Sequence, residues 1–382
     1  MLKIYRLNSS TCREKLFEKI GSTEAGAKIL KDKANLNLIY IKDIKAPAAN
    51  ILKQDALSIG ADLAVSRDTV TCRDEFSDAV LILNDAQLKI LSKKELAQPF
   101  GLKKLATELK EFLVEKNHKV RVMGILNANE DSFFSGSRFD GQEALLHVKK
   151  MIEEGASIID LGGVSSRPGS EGVSEEEELS RIKPIIDMIY EAKLYKKVDF
   201  SIDSYSPLCV KYALEHGFSI VNDITALQSD EVAKLVASFN ATVVLMHKSG
   251  TTKDMQKNPE YKNIILEVDE FFQERIKRAK SFGIKNIVLD VGIGFGKSLE
   301  HNLLLIKHHA HFLHLGYELL IGASRKSMID MISKSNVEDR LSGTLTLHLK
   351  AVEEGTSIVR VHDVKEHVQA FRVQNALQKV VV

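Results

Sequence analysis

Asp290 closes a short apolar run, NIVLD, and is followed by Gly292, Gly294 and Gly296 in the string DVGIGFGK. Glycines behind a carboxylate let a ligand come close to the backbone, and the carboxylate accepts N–H donors in pairs. Two phosphate-binding motifs fail at this stretch. A Walker A loop needs glycine where Val291 stands, and the dinucleotide fingerprint needs one where Lys297 stands. What the residues offer is an acceptor floor for a neutral or cationic donor.

Other polar residues close comparable runs along the chain. Asn127 ends the first, with Asn129, Asp131 and Ser132 behind it. Asp160 lies within the second and Ser165-Ser166-Arg167-Pro168-Gly169 follows. Asp203 ends the third, Asn222 and Asp223 the fourth, Met246 and His247 the fifth, Asp290 the sixth. Ser324-Arg325-Lys326 follows the seventh, and Arg360 and His362 belong to the eighth. Carboxylates and amides therefore gather on runs three, four and six, and cations on loop two and runs seven and eight. Asp203, Asn222 and Asp290 suit the amidine-like edge of a flat heterocycle, with Lys326 donating to its carbonyl or imine nitrogen. Arg167, Arg360 and His362, with Asn127 opposite, suit a phosphorylated group. Plainer roles compete: Asp203 and Asp290 as structural ion pairs, His362 as a satisfied barrel histidine, Asp160 as a structural acceptor, and His308, His309, His311 and His314 as a solvated helix face.

The runs that must position these groups are 120–126, 157–163, 199–205, 219–224, 242–247, 286–290, 318–324 and 356–362, rich in Val, Ile and Leu. Segments with apolar residues at helical spacing separate them, among them 142–154, 175–193, 268–282, 302–309 and 343–354. Several end in glycine (Gly155, Gly217, Gly283, Gly316, Gly355), as helix C-caps do. Eight such units over about 265 residues predict an α/β fold, a (β/α)8 TIM barrel of residues 117–382; a doubly wound sheet is the alternative. Residues 1–116 read as a small α/β domain of unknown role, with strands at 36–41 and 79–83 and helices at 50–59 and 103–116. The string Gly60 to Arg67 reads as a glycine turn entering a strand. The boundary falls at Asn117-His118-Lys119.

With 382 residues, 44% hydrophobic and 27% charged, the composition is that of a globular protein. A net charge of +1 encodes no bulk attraction to nucleic acid or to a membrane surface. The N-terminal MLKIYRLNSS lacks an apolar signal core, and no run approaches the roughly 18 apolar residues of a membrane span. A cytoplasmic protein is expected. Cys12, Cys72 and Cys209 lack metal-site spacing and predict reduced thiols.

Taken together, MGILNANEDSF (123–133), IIDLGGVSSRPGSEGVSEEEELSRIKP (158–184), SIDSY (201–205), IVNDI (220–224), MHKSGTTKDMQ (246–256), DVGIGFGK (290–297), GASRKS (322–327), RLSGT (340–344) and RVHDV (360–364) resemble dihydropteroate synthase, a pterin-binding barrel enzyme. The resemblance covers about 120–379 and not residues 1–116. It implies a transferase joining 6-hydroxymethyl-7,8-dihydropterin diphosphate to para-aminobenzoate in folate biosynthesis, with release of pyrophosphate. Asp203, Asn222, Met246, Asp290, Gly322 and Lys326 would then lie around the pterin. Asn127, Ser166, Arg167, Arg360 and His362 would bind the diphosphate, with Mg2+ at Asn127. Arg167, Pro168, Phe295, Lys326 and Ser327 would shape the arylamine pocket, and Asp203, Lys326 and Arg167 would carry catalysis. A homodimer through the last helices is also implied.

Several positions depart from the family pattern. Asn129 and Glu130 stand in loop one in place of its usual threonine and proline, Val164 replaces a glutamate, Ser166 a threonine, Ser206 a lysine and Val291 a proline. Two alternatives follow: a methyltransferase of the same pterin-binding fold, and a pterin-binding subunit whose altered loops no longer close.

Overall fold

The computed structural model describes residues 4, 5, 7, 11–114, 119–128, 141–164, 173–250 and 259–380. They divide into two compact units, Met1–Glu115 with Gln374–Val382, and Lys116–Val373. Asn117 and His118 of the expected boundary lie outside the described residues.

The first unit contains α1 (Arg13–Lys19), α2 (Glu24–Ala34), β1 (Leu36–Lys45), α3 (Ala46–Ser58), β2 (Asp62–Val65), β3 (Phe76–Asn84), α4 (Asp85–Lys94) and α5 (Leu102–Glu111). Its sheet is antiparallel in the order β1-β3-β2. Along β3, Ser77, Ala79, Leu81 and Leu83 are buried in alternation, which places one face of the strand on the core. Leu52 from α3, Leu88 and Leu91 from α4, and Leu102 and Leu109 from α5 complete that core. The glycine turn at Gly60 does lead into a strand, β2. α4 starts on a capping box in which Asn84 and Gln87 satisfy each other's backbone N–H.

The second unit alternates strictly. In chain order it comprises β4 (Arg121–Asn127), α6 (Gly141–Glu154), β5 (Ile158–Gly162), α7 (Glu175–Glu191), β6 (Asp199–Asp203), α8 (Pro207–Glu215), β7 (Ile220–Asp223), α9 (Asp230–Ser238), β8 (Thr242–Met246) and α10 (Ile264–Ser281). It continues with β9 (Asn286–Asp290), α11 (Leu299–Lys307), a 3-10 segment (His309–Leu315), β10 (Glu318–Ile321), α12 (Ser327–Ile332), α13 (Leu341–Glu353), β11 (Ile358–Val361) and α14 (Val364–Lys379). All eight strands pair in parallel, and β11 closes onto β4. This is the (β/α)8 barrel that the spacing predicts, with strand ends within a few residues of those expected.

Two packed layers hold it. Between strands and helices, Phe200, Val243, Leu289, Val359 and the buried faces of the helices form one large cluster. Inside the barrel, Met123, Ile158, Ile220, Val244, Val288, Leu320 and Ile358 form a second. That inner plug is the platform for the mouth, because every second residue along a strand faces the same way. Among the described residues no helix is long and apolar enough to cross a membrane.

Candidate active site

Two residues beyond the plug, the interior positions turn polar. Ile158 gives way to Asp160, Ile220 to Asn222, Val288 to Asp290 and Ile358 to Arg360, while on β6 the buried Ser201 precedes Asp203. Register aligns Asn127, Gly162, Asp203 and Asn222 across four neighbouring strands. The side chains interlock. Arg360 donates from Nε to Asp160 Oδ2 at 2.6 Å and from Nη2 to Asp203 Oδ2 at 2.7 Å. Asn222 donates to the same Asp160 oxygen at 3.2 Å. Two carboxylates thus share one guanidinium. Burial pushes Asp203 up to about 7, with Arg360 opposing and Asp160, Glu178 and Asp223 adding to the rise.

This corrects the charge map drawn from the sequence, which set Arg360 on the cationic side away from the carboxylates. In a closed eight-stranded barrel a long arginine on β11 reaches across to β5 and β6, so opposite charges interleave at the floor. Gly322, just past the end of β10, lies against this arginine: a Cβ there would be in ordinary contact, 3.7 Å from Arg360 Cβ.

Asp290 is buried at the end of β9. Its Oδ1 accepts the Gly292 N–H at 2.8 Å, so the carboxylate itself closes the turn that Val291 cannot stiffen as a proline would. Burial raises its pKa, and that hydrogen bond and Lys326 oppose the rise. Gly292 has φ 65°, and a Cβ on it would fall 1.9 Å from the His247 carbonyl oxygen. Only glycine fits this close crossing. Gly294 similarly leaves room for Lys326, whose Cδ would lie 3.1 Å from an added Cβ.

Lys326 extends over the glycine loop, donating to the Ile293 carbonyl, with Nζ 4.4 Å from the centre of the Phe295 ring. Burial lowers its pKa to about 8, opposed by Asp290. Its position at the N-cap of α12, with Ser327 opening the helix, depends on neighbours that sequence reasoning passed over. Arg325 takes a left-handed φ of 55° and is anchored by two hydrogen bonds to Asp363, at 2.9 and 2.6 Å, and by Thr344 Oγ1 accepting its N–H. Behind it, Ala323 N–H donates to His348 Nε2 at 3.0 Å. That leaves His348 Nδ1 as the donor to His367 Nε2, at 2.9 Å. Asp363 stood in the RVHDV motif as a possible signal; the paired histidines carried none.

Lys297 was also passed over. Tested in the sequence as a Walker lysine, it is buried and donates to the carbonyls of His247, Gly292 and Phe295 at 3.1, 3.0 and 2.9 Å. It clamps the glycine loop to the end of β8, and burial lowers its pKa to about 7, with Asp290 opposing.

Other candidates are placed less directly. His362 is exposed, its Nδ1 2.9 Å from Ser324 Oγ. Met246 is buried at the end of β8. Asp223 does not join the floor, because its oxygens accept from Thr225 N and Oγ1 and from Leu227 N. His247 is buried edge-on to Phe271. Ser206, in the family's lysine position, caps α8 by accepting from Cys209 N and donating to Glu175. Ser166, Arg167 and Pro168, with Asn129, Asp131 and Ser132, lie outside the described residues. The histidine tract is not the solvated face expected of it: His309 is wholly buried, and the His314 side chain is 9% exposed.

Comparison with known proteins gives one answer. The family model described as pterin binding enzyme matches residues 123–362. The bifunctional dihydropteroate synthase/dihydropteroate reductase of Helicobacter pylori is 41% identical over 377 residues, covering 98% of this chain and 99% of that protein. The dihydropteroate synthase of Escherichia coli is 41% identical over 258 residues, covering 67% of this chain and 90% of its own. Among solved structures, the Yersinia pestis dihydropteroate synthase in a sulfonamide drug complex aligns with a TM-score of 0.65 at 36% identity, covering 69% of this chain and 95% of that one. The Xanthomonas albilineans enzyme with 4-aminobenzoic acid aligns with a TM-score of 0.64 at 36% identity, covering 69% and 94%. A closed barrel whose polar mouth is built on DVGIGFGK, GASRKS and RVHDV, together with these likenesses, places the chain in the pterin-binding enzyme family, among the dihydropteroate synthases.

Proposed function

We propose that the barrel mouth joins the methylene carbon of 6-hydroxymethyl-7,8-dihydropterin diphosphate to the amine of para-aminobenzoate. The carbon–oxygen bond breaks with its electron pair leaving on pyrophosphate, the amine nitrogen bonds the carbon, and an amine proton is lost. The observation that carries this reading is the shared floor of Asp160, Asp203, Asn222 and Arg360, with Asp290 and Lys326 beside it. Asp203, Asn222 and Asp290 receive the donor edge of the pterin. Lys326 donates to the ring and sets Phe295 as a wall for the arylamine. As the carbon–oxygen bond breaks, positive charge spreads into the pterin, and the carboxylates stabilise it from fixed positions in a poorly solvated site. Arg360 keeps those carboxylates aligned and leaves Nη1 for the diphosphate, which Arg167, Ser166 and His362 also hold.

Mg2+ is proposed at Asn127. The fit is sound, because Mg2+ takes oxygen ligands and is commonly held by one or two side chains plus substrate phosphates. Gly162 leaves the space open: a Cβ there would sit 3.8 Å from Asn127 Oδ1 and 3.6 Å from Asp203 Oδ2. When bound, the ion neutralises charge on the leaving diphosphate. Homodimer formation is also proposed, supported by the exposed Met331, Ile332 and Val337 ahead of α13. A cytoplasmic location is supported by three free cysteines.

A pyrophosphate-release assay on the full chain with both substrates tests the synthase. Lys326→Ala and Arg167→Ala should each lower turnover about 10²–10³-fold, the usual loss when one charge-stabilising donor is removed. Pterin uptake without turnover would indicate the binding-only alternative, and a folate-like methyl donor as substrate would indicate the methyltransferase.

A second reading concerns residues 1–115. The Escherichia coli relative matches over 67% of this chain, whereas the bifunctional relative matches over 98% and so includes the first unit. We propose that this chain also reduces dihydropteroate, taking a hydride from a reduced nicotinamide or flavin and a proton from solvent. Oxidation of that reductant, dependent on added dihydropteroate, is the test; none with either donor would remove the proposal.

A further inference from the structure

Away from the strand-end residues of the mouth, the outer helical layer holds a second cluster of ionisable groups. In a 3-10 helix three residues make one turn, so side chains at i and i+3 project in the same direction. The 3-10 segment His309–Leu315 thereby aims His311 and His314 together at α10. There Asp269 meets them. His314 Nε2 lies 2.6 Å from Asp269 Oδ1, and His311 Nε2 lies 3.4 Å from the same oxygen. The two imidazole centroids are 5.0 Å apart. One ligand atom from each residue lies within 4.8 Å of the others, and among the described residues no other three His, Cys, Asp or Glu side chains come so close.

The surroundings fit an ion. Gln273, one turn further along α10, donates to the other Asp269 oxygen at 2.6 Å and fixes the carboxylate plane. Such outer partners orient metal-ligating groups and tune their affinity. The Asp269, His311 and His314 side chains are 11%, 20% and 9% exposed, which encloses the cluster yet leaves an approach beside His311. Two imidazole nitrogens with one carboxylate oxygen form a donor set characteristic of three-ligand zinc sites with a fourth position for water. It does not suit Mg2+ or Ca2+, which prefer oxygen alone.

We propose that Asp269, His311 and His314 form a zinc-class divalent-ion site that clips α10 to the segment leading into β10. The ion replaces the direct contacts among the three side chains, with water as its fourth ligand. The clip ties α10 to the chain entering β10 and acts on the stability of the barrel wall, not on the groups at the mouth.

Full-length protein, stripped with a chelator and dialysed, is titrated with Zn2+ by calorimetry and with Co2+ by visible absorption. One equivalent of each should bind, the Co2+ spectrum showing d–d bands without a thiolate charge-transfer band. His311→Gln and His314→Gln should each weaken Zn2+ binding about hundredfold or more, and Gln273→Ala about tenfold to hundredfold, the range for loss of an outer partner. Zn2+ should raise the melting temperature of the wild type and not of the histidine variants, while synthase turnover is retained in all three. A stripped wild type that takes up no zinc, binding unchanged in both histidine variants, or a thiolate band with Co2+ would each overturn the proposal and leave a hydrogen-bonded cluster only. Gln273→Ala keeps the test decisive should a histidine variant fail to fold.

Discussion

The inner plug of the barrel and its mouth are two tiers of the same strands, only two residues apart. Ile158, Ile220, Val288 and Ile358 fill the first; Asp160, Asn222, Asp290 and Arg360 occupy the second. The plug gains stability by removing apolar surface from water. The mouth holds partly desolvated charge, which is costly unless paired, and pairs it through one arginine and a set of backbone groups. The contrast assigns folding to the lower tier and chemistry to the upper, which is why barrel active sites lie at the C-terminal ends of strands.

The largest effect that would test this division comes from Arg360→Met. It leaves Asp160 and Asp203 without their shared cation, and breaking a buried pair from one side costs about 3–5 kcal/mol. Chemical denaturation should show that loss, together with a fall in turnover. A variant as stable and active as the wild type would mean that the guanidinium is dispensable at the floor. Next in size is Leu320→Ala in the plug. It should cost about 2–5 kcal/mol of folding stability from lost burial and the cavity left behind. Turnover per folded molecule should stay close to wild type; a selective loss of turnover would erase the boundary between the tiers.

The smallest effect sharpens the comparison through pH. Asp203 has its pKa pushed up to about 7 and Lys326 has its lowered to about 8. The proposed mechanism needs the first ionised and the second protonated. Turnover should therefore fall as pH drops through the Asp203 value and fall again as it rises through the Lys326 value. Asp203→Asn should remove the acid limb, and a profile unaltered in that variant would assign the limb elsewhere. The stability sign is separate: a carboxyl raised on folding contributes below its unfolded value, 3.8, and that contribution is lost as pH rises through about 7.

Much of this was legible in the chain. Short apolar runs alternating with amphipathic segments fix the order of the strands and helices, and the polar residues that close those runs place Asp203, Asn222 and Asp290 at or next to strand ends. Arg360 could be assigned to its strand but not to its partner, because its side chain spans to β5 and β6 and nothing in local sequence measures that distance. The His308–His314 tract shows the same limit. Its composition read as a solvated helix face, and only the approach of Asp269 from α10 joined His311 and His314 to a carboxylate.

By itself the sequence determined the order of the eight strand–helix units and the chemical type of the groups at the mouth. Those are local properties, set by periodicity, glycine positions and caps. Tertiary structure decided which charges meet: Arg360 with Asp160 and Asp203, Lys297 with three carbonyls, and Arg325 with Asp363 behind Lys326. Barrel closure brings residues 157 and 200 positions apart within hydrogen-bonding reach, and that proximity is what pairs the charges and shifts their protonation.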